Sequence, residues 1–146
     1  MKTIIQTAQS ELQESLTNFK ERNIFITPDL NIFPMEKSFP AIGIKDGKIE
    51  HLPYNQDVKS TYTVQYAIYV EIIKEDESSV IGDTSTNKKG TLDIASDLRS
   101  VLDDNLLSIT GLNSAFCTSE SESLLIPGRS RSAMRKILTY QYIKRI

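Results

Sequence analysis

The sequence of 146 residues has few of the residues that most often carry catalysis, metal binding or cross-linking. It contains one cysteine, Cys117, and one histidine, His51. A single cysteine excludes a disulfide within the chain and a zinc site built from several cysteines. The 6 glycines are not clustered, and neither G-x-G-x-x-G nor a Walker-type loop is present. These absences predict a chain that is not an enzyme and that binds no cofactor or metal.

Long apolar runs and an excess of one charge are also missing. No segment approaches the roughly 20 apolar residues of a membrane-spanning helix, and the run Ile4-Ile5 is too short for a signal peptide. Lys and Arg number 17 against 19 Asp and Glu, which gives a net charge of −2. Because nucleic-acid-binding domains are usually basic, this balance argues against one. The sequence predicts one intracellular domain with no membrane contact.

The strongest positive signal is the stretch Thr61–Ile73, which reads TYTVQYAIYVEII. Its even positions are all apolar or aromatic, whereas its odd positions begin polar and become mixed. Such alternation of β-branched and aromatic residues is typical of a strand with one face in the core. At about 3.3 Å per residue the stretch would span roughly 40 Å, far longer than a common strand. We expect its C-terminal half, with Tyr69 and Ile73, to reach beyond the core into a subunit contact.

Two amphipathic helices are predicted. Residues 3–22 carry one apolar stripe at spacings of three and four, and Arg22 and Asn23 suit its C-terminal end. Leu92–Leu107 carries a second stripe, with Thr91 as the N-cap. The first stripe is either a partner-binding surface or, as the simpler interpretation, the face of a helix that packs on its own sheet. The second stripe predicts a helix that packs on the sheet.

Shorter strands are predicted around these helices. Ile24–Thr27 is an apolar run closed by a turn, and Ala41–Ile44 and Lys48–Leu52 flank an Asp-Gly dipeptide, which favours a hairpin. Leu112–Ile126 is polar enough for an edge strand, and Ala133–Lys144 alternates as the closing strand.

The segment Lys74–Lys89 contains only two apolar residues, Val80 and Ile81, and predicts an exposed, flexible loop at about 74–90. Such a loop is either functional or a passive connection. Strands segregated around two helices predict a single α+β domain over residues 1–146, with a mainly antiparallel sheet of long strands.

The possible catalytic residues do not form a recognisable site. Glu50 and His51 are neighbours on a predicted strand and therefore point to opposite faces. Cys117 belongs to no Cys–His motif, and a small strand residue is the simpler interpretation. The carboxylates of Asp103 and Asp104 diverge on a predicted helix.

The segment from Arg129 to Arg145 carries six basic residues and no acidic one. It could contact phosphates, bind an acidic partner surface, or be a solvated strand face. In the first case Tyr140 and Tyr142 would stack on bases. In the second, the acids at 75–77 or 120–122 of a neighbouring copy would face it.

The order of these elements carries a resemblance. An amphipathic N-terminal helix is followed by the TYTVQYAIYVEII strand, a polar loop, the helix LDIASDLRSVLDD and the closing strand RKILTYQYIKR. This pattern resembles the tail terminator proteins of long-tailed bacteriophages, which complete the tail and join it to the head. The resemblance covers most of the chain and is weakest between Pro28 and Pro53.

The resemblance implies a structural virion protein that assembles in the host cytoplasm. Such proteins form a ring, usually hexameric, that stops tube polymerisation at the head-proximal end of the tail. Their partners are other copies, the tail tube protein and the head connector or neck proteins, and DNA passes through the lumen without specific binding. Two alternatives remain open: another neck component, such as a head-completion or connector-adaptor protein, and a small nucleic-acid-binding module.

The candidate interface combines the end of the long strand, the loop at 74–90, the acids at 120–122 and the basic segment. Its residues are Tyr69, Ile73, Glu75, Asp76, Glu77, Lys88, Lys89, Glu120, Glu122, Arg129, Arg131 and Arg135.

Overall fold

Among the residues that the structure describes, the chain forms three α-helices and a mixed sheet of six strands. The structure is a computed structural model that describes residues 1–34, 36–52, 58–72, 76–127 and 132–145. The helices are α1 (Lys2–Ser15), α2 (Asp76–Ile81) and α3 (Thr91–Leu102). The strands are β1 (Ile24–Ile26), β2 (Ala41–His51), β3 (Val58–Glu71), β4 (Leu112–Glu120), β5 (Leu124–Ile126) and β6 (Ala133–Arg145). The predicted α+β class with a mainly antiparallel sheet is confirmed.

The two long strands β3 and β6 form the centre of the sheet. They pair antiparallel, with Tyr62 opposite Tyr142 and Tyr69 opposite Arg135. The order across the sheet is β1-β2-β3-β6-β4, and β5 pairs with β6 at residues that β4 leaves free. Among the strands of the described residues, β1 and β2 form the one parallel pair. The predicted central and closing strands are therefore confirmed.

The main core lies between one face of the sheet and the helices α1 and α3. The even positions of β3 from Val64 to Val70 point into it, as the alternation predicts. The hydroxyls of Tyr66 and Tyr142 are hydrogen-bonded at 2.6 Å, and Tyr140 packs edge-on against Tyr66. The tyrosine hydroxyls are thus satisfied inside an apolar core, which avoids the cost of burying an unpaired polar group.

A second, smaller core lies on the opposite face of the sheet. Residues 27–34 and 36–40 cross this face and bring Leu30 and Phe33 against Ala67 and Tyr69. The hydroxyl of Tyr69 donates a hydrogen bond of 2.6 Å to the carbonyl oxygen of Leu30. The segment after β1 therefore covers one end of this face of the sheet.

The other end of that face carries polar residues. Gln65 lies opposite Thr139, and Thr63 opposite Gln141, and all four side chains are partly exposed. We call this region the open half of the sheet. It is made of the odd positions of the same strands whose even positions form the main core, as the strand period of two requires.

The predicted hairpin at Asp46-Gly47 is wrong, because both segments belong to the one strand β2. Ala41–Asp46 and Ile49–His51 pair with the same strand, β3, across a register shift. Gly47 sits at this bulge, where an added Cβ would lie 2.8 Å from the carbonyl oxygen of Thr63. The glycine therefore allows a close approach of two backbones, which is the other common reason for a glycine in a strand.

The predicted loop at Lys74–Lys89 is also corrected. It contains the short helix α2, followed by an antiparallel bridge between Asp83 and Lys88. Gly82 ends the helix with a φ of 84°. A helix of this length has too few apolar positions for its periodicity to be read from the sequence.

The predicted helix ends are wrong by several residues. The first helix ends at Ser15 and the second at Leu102, although Phe19 and Leu107 beyond these ends are still buried. A turn after a helix can continue to face the core, so the apolar spacing persists where the helix does not. The N-cap of α3 is Gly90 rather than Thr91, and its N–H donates to Asp93 Oδ2 at 3.1 Å.

The predicted edge strand Leu112–Ile126 is divided in two. β4 ends at Glu120 and β5 begins at Leu124, and between them the N–H of Ser121 still donates to the carbonyl oxygen of Ile137 at 2.8 Å. The Ser121 hydroxyl accepts a hydrogen bond of 2.8 Å from the N–H of Ile137, which takes the place of a backbone partner. Side chains of this kind commonly compete with strand pairing.

Candidate assembly surface

The edge formed by β4 and β5 exposes aliphatic side chains. Leu124 is 46% exposed and Leu125 53%, and β5 pairs only with β6 among the described residues. The start of α3 lies beside this edge, since the hydroxyls of Thr91 and Ser123 are 2.7 Å apart. Exposed aliphatic residues beside a strand whose outer edge has no partner are typical of a site that another chain covers. We call Leu124, Leu125 and the outer side of β5 the leucine edge.

α3 also exposes an apolar side chain at its start, Leu92. It follows Thr91 directly and is 47% exposed. The start of α3 packs closely against the end of α2 at Gly90 and Gly82. The approach is so close that an added Cβ on Gly90 would lie 2.3 Å from the carbonyl oxygen of Val80. Ile81, at the end of α2, is exposed as well.

The opposite edge of the sheet differs in chemistry. β1 pairs with β2 only from Ile42 to Ile44, so β2 beyond this point has no outer partner among the described residues. This stretch carries the exposed ion pairs Lys48–Glu50, at 2.8 Å, and Lys45–Asp46, at 3.9 Å. Charges and a bulge are common protections of an open strand against unspecific pairing.

Glu120, a predicted interface acid, is engaged within the chain. Its carboxylate lies 3.2 Å from the Arg99 guanidinium and 3.8 Å from the Lys136 ammonium. Glu122 lies exposed between β4 and β5. The fold thus brings both acids to the leucine edge, and Glu122 is the more accessible of the two.

Arg135, a predicted interface cation, is buried. It is 8% exposed, and its Nη1 donates to the side-chain carbonyl of Asn31, while its Nε is buried without a partner. Its place opposite Leu124 in the ladder nevertheless puts it beside the leucine edge.

Glu77, Lys88 and Lys89 lie in a second region, around α2. Glu77 and Lys88 are exposed and line a cavity of about 910 Å³, together with Phe19. The ammonium of Lys89 forms an ion pair of 2.6 Å with Asp97. The sequence prediction therefore merged two separate regions, one at the leucine edge and one at α2.

The expectation that Tyr69 reaches a subunit contact is wrong. Its side chain is fully buried in the second core, and burial raises the pKa of its hydroxyl well above the usual range. Ile73, Glu75, Arg129 and Arg131 lie outside the described residues, and of Asp76 only the backbone, at the start of α2, is described.

The hypothesis that Tyr140 and Tyr142 stack on bases is also wrong. Both are fully buried in the main core. The Tyr140 hydroxyl donates to Asp103 Oδ1 at 2.5 Å, and burial raises the pKa of Tyr142 to about 12. Neither ring has a face available to a nucleotide.

His51 and Cys117 lie apart in the structure. His51 is exposed near the end of β2, with Nδ1 at 2.8 Å from the Ser60 hydroxyl. Burial raises the pKa of the Cys117 thiol, which disfavours the nucleophilic thiolate. In the described parts of the chain, no group of three His, Cys, Asp or Glu side chains could hold a metal ion.

The sequence matches no protein-family model and no curated protein. Of the helices in the described ranges, none combines the length and the apolar character needed to cross a membrane.

The sequence prediction did not include the leucine edge, although the sequence contains a signal for it. Leu124 and Leu125 are adjacent, and neighbouring strand residues point to opposite faces, so an edge strand cannot bury both without a cover on each side. The role of Asn31 as the partner of Arg135 could not be found, because the two residues are far apart in the chain.

Proposed function

We propose that this chain is a tail terminator of a long-tailed bacteriophage, whose copies close into a ring at the head-proximal end of the tail tube. The observation that carries the proposal is the pair of unlike open edges on one sheet. The leucine edge is aliphatic, and the far part of β2 is charged and bulged. The element order that carries the resemblance, from α1 through β3 and α3 to β6, supports it further.

Unlike edges lead to a ring by simple geometry. When one surface of a subunit binds a different surface of the next, the contact is head-to-tail and can repeat. Such a chain of subunits closes if the rotation per step divides a full turn, and each closed ring leaves no open edge. A hexamer of this kind would stop tube growth by covering the last ring of tail tube protein.

The ring would present one end to the tail tube protein and the other to the head connector or neck proteins. DNA would pass through its lumen without specific binding.

The experiment is to mix the purified protein with polymerising tail tubes and, separately, with filled heads, and to image both by negative stain. A tail terminator caps tube ends and limits tube length, and it forms rings by native mass spectrometry. A head-completion or adaptor protein would bind heads and leave tube length unchanged, which would overturn the proposal in favour of another neck component.

A matched pair of variants tests the edge. Leu124→Asp places a charge on the leucine edge and should abolish rings, because an unpaired charge would be buried in the contact. Gln6→Asp adds the same charge at an exposed position of α1 and should leave ring formation unchanged. Equal ring formation by the two variants would contradict the assigned edge.

A further inference from the structure

The short strands β5 and β1 lie at opposite edges of the sheet, and both edges expose aliphatic side chains. Leu124 and Leu125 of β5 are 46% and 53% exposed, and Ile26 of β1 is 46% exposed. Ile32, in the segment that covers the second core after β1, is 59% exposed. The strand order puts β1 outside β2 and β5 beside β6. A second copy placed edge to edge would therefore bring aliphatic residues onto aliphatic residues.

The backbone of β1 has one open position on its outer side. The N–H of Thr27 donates to the carbonyl oxygen of Ile44 at 2.9 Å, so Thr27 faces β2. The carbonyl oxygen of Ile24 accepts a hydrogen bond of 3.0 Å from Gln9 Nε2, so Ile24 faces away from β2. Strand residues alternate in the side to which their N–H and C=O point. Ile26 therefore directs both groups outward, and in the described ranges β1 pairs with β2 alone.

The backbone of β5 also has one open position. The N–H of Ile137 donates to the Ser121 hydroxyl, and its carbonyl oxygen accepts the Ser121 N–H, each at 2.8 Å. The backbone of Ile137 thus points away from β3. Arg135 and Ala133 have the same orientation by alternation, so they form the hydrogen-bonded pairs with the two ends of β5. Leu125, in the middle of β5, directs its N–H and C=O outward.

We propose that β5 of one copy pairs antiparallel with β1 of the next copy, with Leu125 opposite Ile26. The inference rests on the proposed ring and names the two strands that join its subunits. The strand directions agree with it, because β5 runs opposite to β6, and β6 runs in the same direction as β2 and β1. If the sheet continues from copy to copy, two N–H···O=C bonds satisfy all four outward groups.

The faces of the sheet agree as well. Through the ladder, Leu125 and Ile26 both align with even positions of β3, so both lie on the side of the main core. Residues directly opposite each other share a face, as this pairing requires. Leu124 lies on the other face, where the segment with Ile32 covers the second core. Each face of the contact thus receives one aliphatic side chain from each copy.

The position along the strands fits a closed ring. β1 aligns with β3 residues 66–68 and β5 with residues 69–71, so both edge strands lie in the same half of the sheet. Leu125 and Ile26 are offset by four residues, or about 13 Å along the strand direction. A sheet that closes on itself requires tilted strands and such a stagger.

The register is limited by neighbouring residues. Shifting the pairing by two residues would place Leu125 opposite Ile24 or opposite Pro28. The backbone N–H and C=O of Ile24 are already bonded within the chain, and proline has no N–H to donate. The proposed register instead puts Pro127 opposite Ile24, where no N–H is needed. Only the pairing of Leu125 with Ile26 provides all four groups.

A disulfide across the contact tests the pairing directly. In a Cys117→Ser background, a mixture of the Leu125→Cys and Ile26→Cys proteins, oxidised with diamide, should give covalent dimers that contain one chain of each kind. Hydrogen-bonded antiparallel residues have Cα atoms about 5.5 Å apart, which suits a disulfide. A chain that carries both substitutions should give a ladder of covalent oligomers that ends at the ring size.

The matched control is Ile49→Cys. Ile49 is 38% exposed and lies on the same edge, in the charged part of β2. Mixed with Leu125→Cys, it should give less than about a tenth of the cross-linked product, because the separation exceeds the reach of a disulfide. Equal cross-linking to Ile49→Cys would make the far part of β2 the partner. Equal cross-linking of Leu125→Cys with itself would show a two-fold contact between leucine edges. Either result would overturn the inference.

A second measurement needs no cysteine. Ile26→Asp should raise the concentration at half assembly by about tenfold or more in sedimentation velocity, because the contact would bury an unpaired charge. Ile49→Asp should change it by less than about twofold. Equal assembly by the two variants would contradict the role of β1. Both positions are exposed, and circular dichroism checks that each variant is folded.

The outcomes separate this inference from the proposed function. If the wild type forms rings but Leu125→Cys and Ile26→Cys do not cross-link, the inference is wrong and the ring stands. Cross-linked chains that never close into rings would support the pairing and contradict the proposed function. A wild type that stays monomeric, with no cross-linking, would contradict both. Should a cysteine variant fail to fold, the comparison of Ile26→Asp with Ile49→Asp decides the question.

Discussion

The two faces of the sheet differ in how they are covered, although the same strands supply both. On one face, α1 and α3 enclose the main core, where Tyr66, Ile68 and Leu138 are fully buried. On the other, the segment after β1 covers only one end, and the open half carries threonine and glutamine. A strand such as β3 therefore holds the fold together with its even positions and leaves part of its odd positions available for contacts.

The same contrast holds for the two buried cations of β6. Lys136 is paired by residues of its own chain, whereas the hydrogen-bond partner of Arg135 among the described residues is Asn31, and its Nε is buried without a partner. The two adjacent residues therefore differ in how completely the described part of the chain pairs their charges. The following predictions test this division between structure and contact, beginning with the largest effect.

The main core should be far more sensitive to truncation than the open half. Leu98→Ala removes a fully buried side chain of α3 and should lower the free energy of unfolding by about 2–5 kcal/mol. Gln141→Ala, on the open half, should change it by less than about 0.5 kcal/mol. Urea unfolding of both variants measures the difference. A loss of comparable size for Gln141→Ala would show that the open half is part of the fold.

High pH should destabilise both cores. Burial raises the pKa of Tyr66, Tyr69, Tyr140 and Tyr142, and that of Tyr142 reaches about 12. The unfolded chain loses these protons near pH 10 while the folded chain keeps them, so stability is complete below pH 10 and falls above it. For each tyrosine that stays protonated in the folded chain, the free energy of unfolding falls by about 1.4 kcal/mol per pH unit above pH 10.

The measurement is tyrosinate absorbance at 295 nm alongside circular dichroism between pH 8 and 12. The four buried tyrosines should ionise together with unfolding. Ionisation of these residues while the circular dichroism stays native would contradict their burial.

The second core contains a buried hydrogen bond between Tyr69 and the backbone. Tyr69→Phe leaves the carbonyl oxygen of Leu30 without its donor and should cost about 1–3 kcal/mol. Tyr62→Phe, at a partly exposed position on the same strand, is the control and should cost less than about 0.5 kcal/mol. Thermal unfolding compares the two, and equal melting temperatures would show that the second core adds no specific stability.

The sequence predicted the regular part of the fold well, and the reason is physical. The alternation in Thr61–Ile73 and the stripes of the two long helices reflect burial, which repeats with the period of each element. Where burial is not periodic, prediction failed. Asp46-Gly47 has the local chemistry of a turn, yet pairing with β3 on both sides makes it a bulge. Helix α2 is held by its contact with α3 through Gly82 and Gly90.

The candidate site was predictable only in part. The sequence prediction grouped Glu120, Glu122 and Arg135 in one candidate interface. Glu120 and Arg135 do lie on β4 and β6 near the leucine edge, but Arg135 is buried rather than presented to a partner. The sequence could not show that Tyr69 is enclosed by residues from a distant segment, nor that Asn31 meets Arg135. Such contacts depend on how loops fold over the sheet, which no local pattern records.

The smallest effect is expected for the ion pair between Arg99 and Glu120. Both groups are partly exposed, and such surface pairs contribute little to stability. Glu120→Gln should therefore cause the smallest loss of stability among these variants, and the loss should shrink in high salt. A larger loss that salt does not reduce would indicate that Lys136 depends on Glu120 for its burial.

The central claim is that the open edges join copies of this chain into a ring that ends a tail tube. Its most direct test is electron microscopy of tail tubes assembled with and without the purified protein. We expect closed rings at one end of each tube and tubes of limited length. A protein that stays monomeric, and tubes that keep growing in its presence, would contradict the claim.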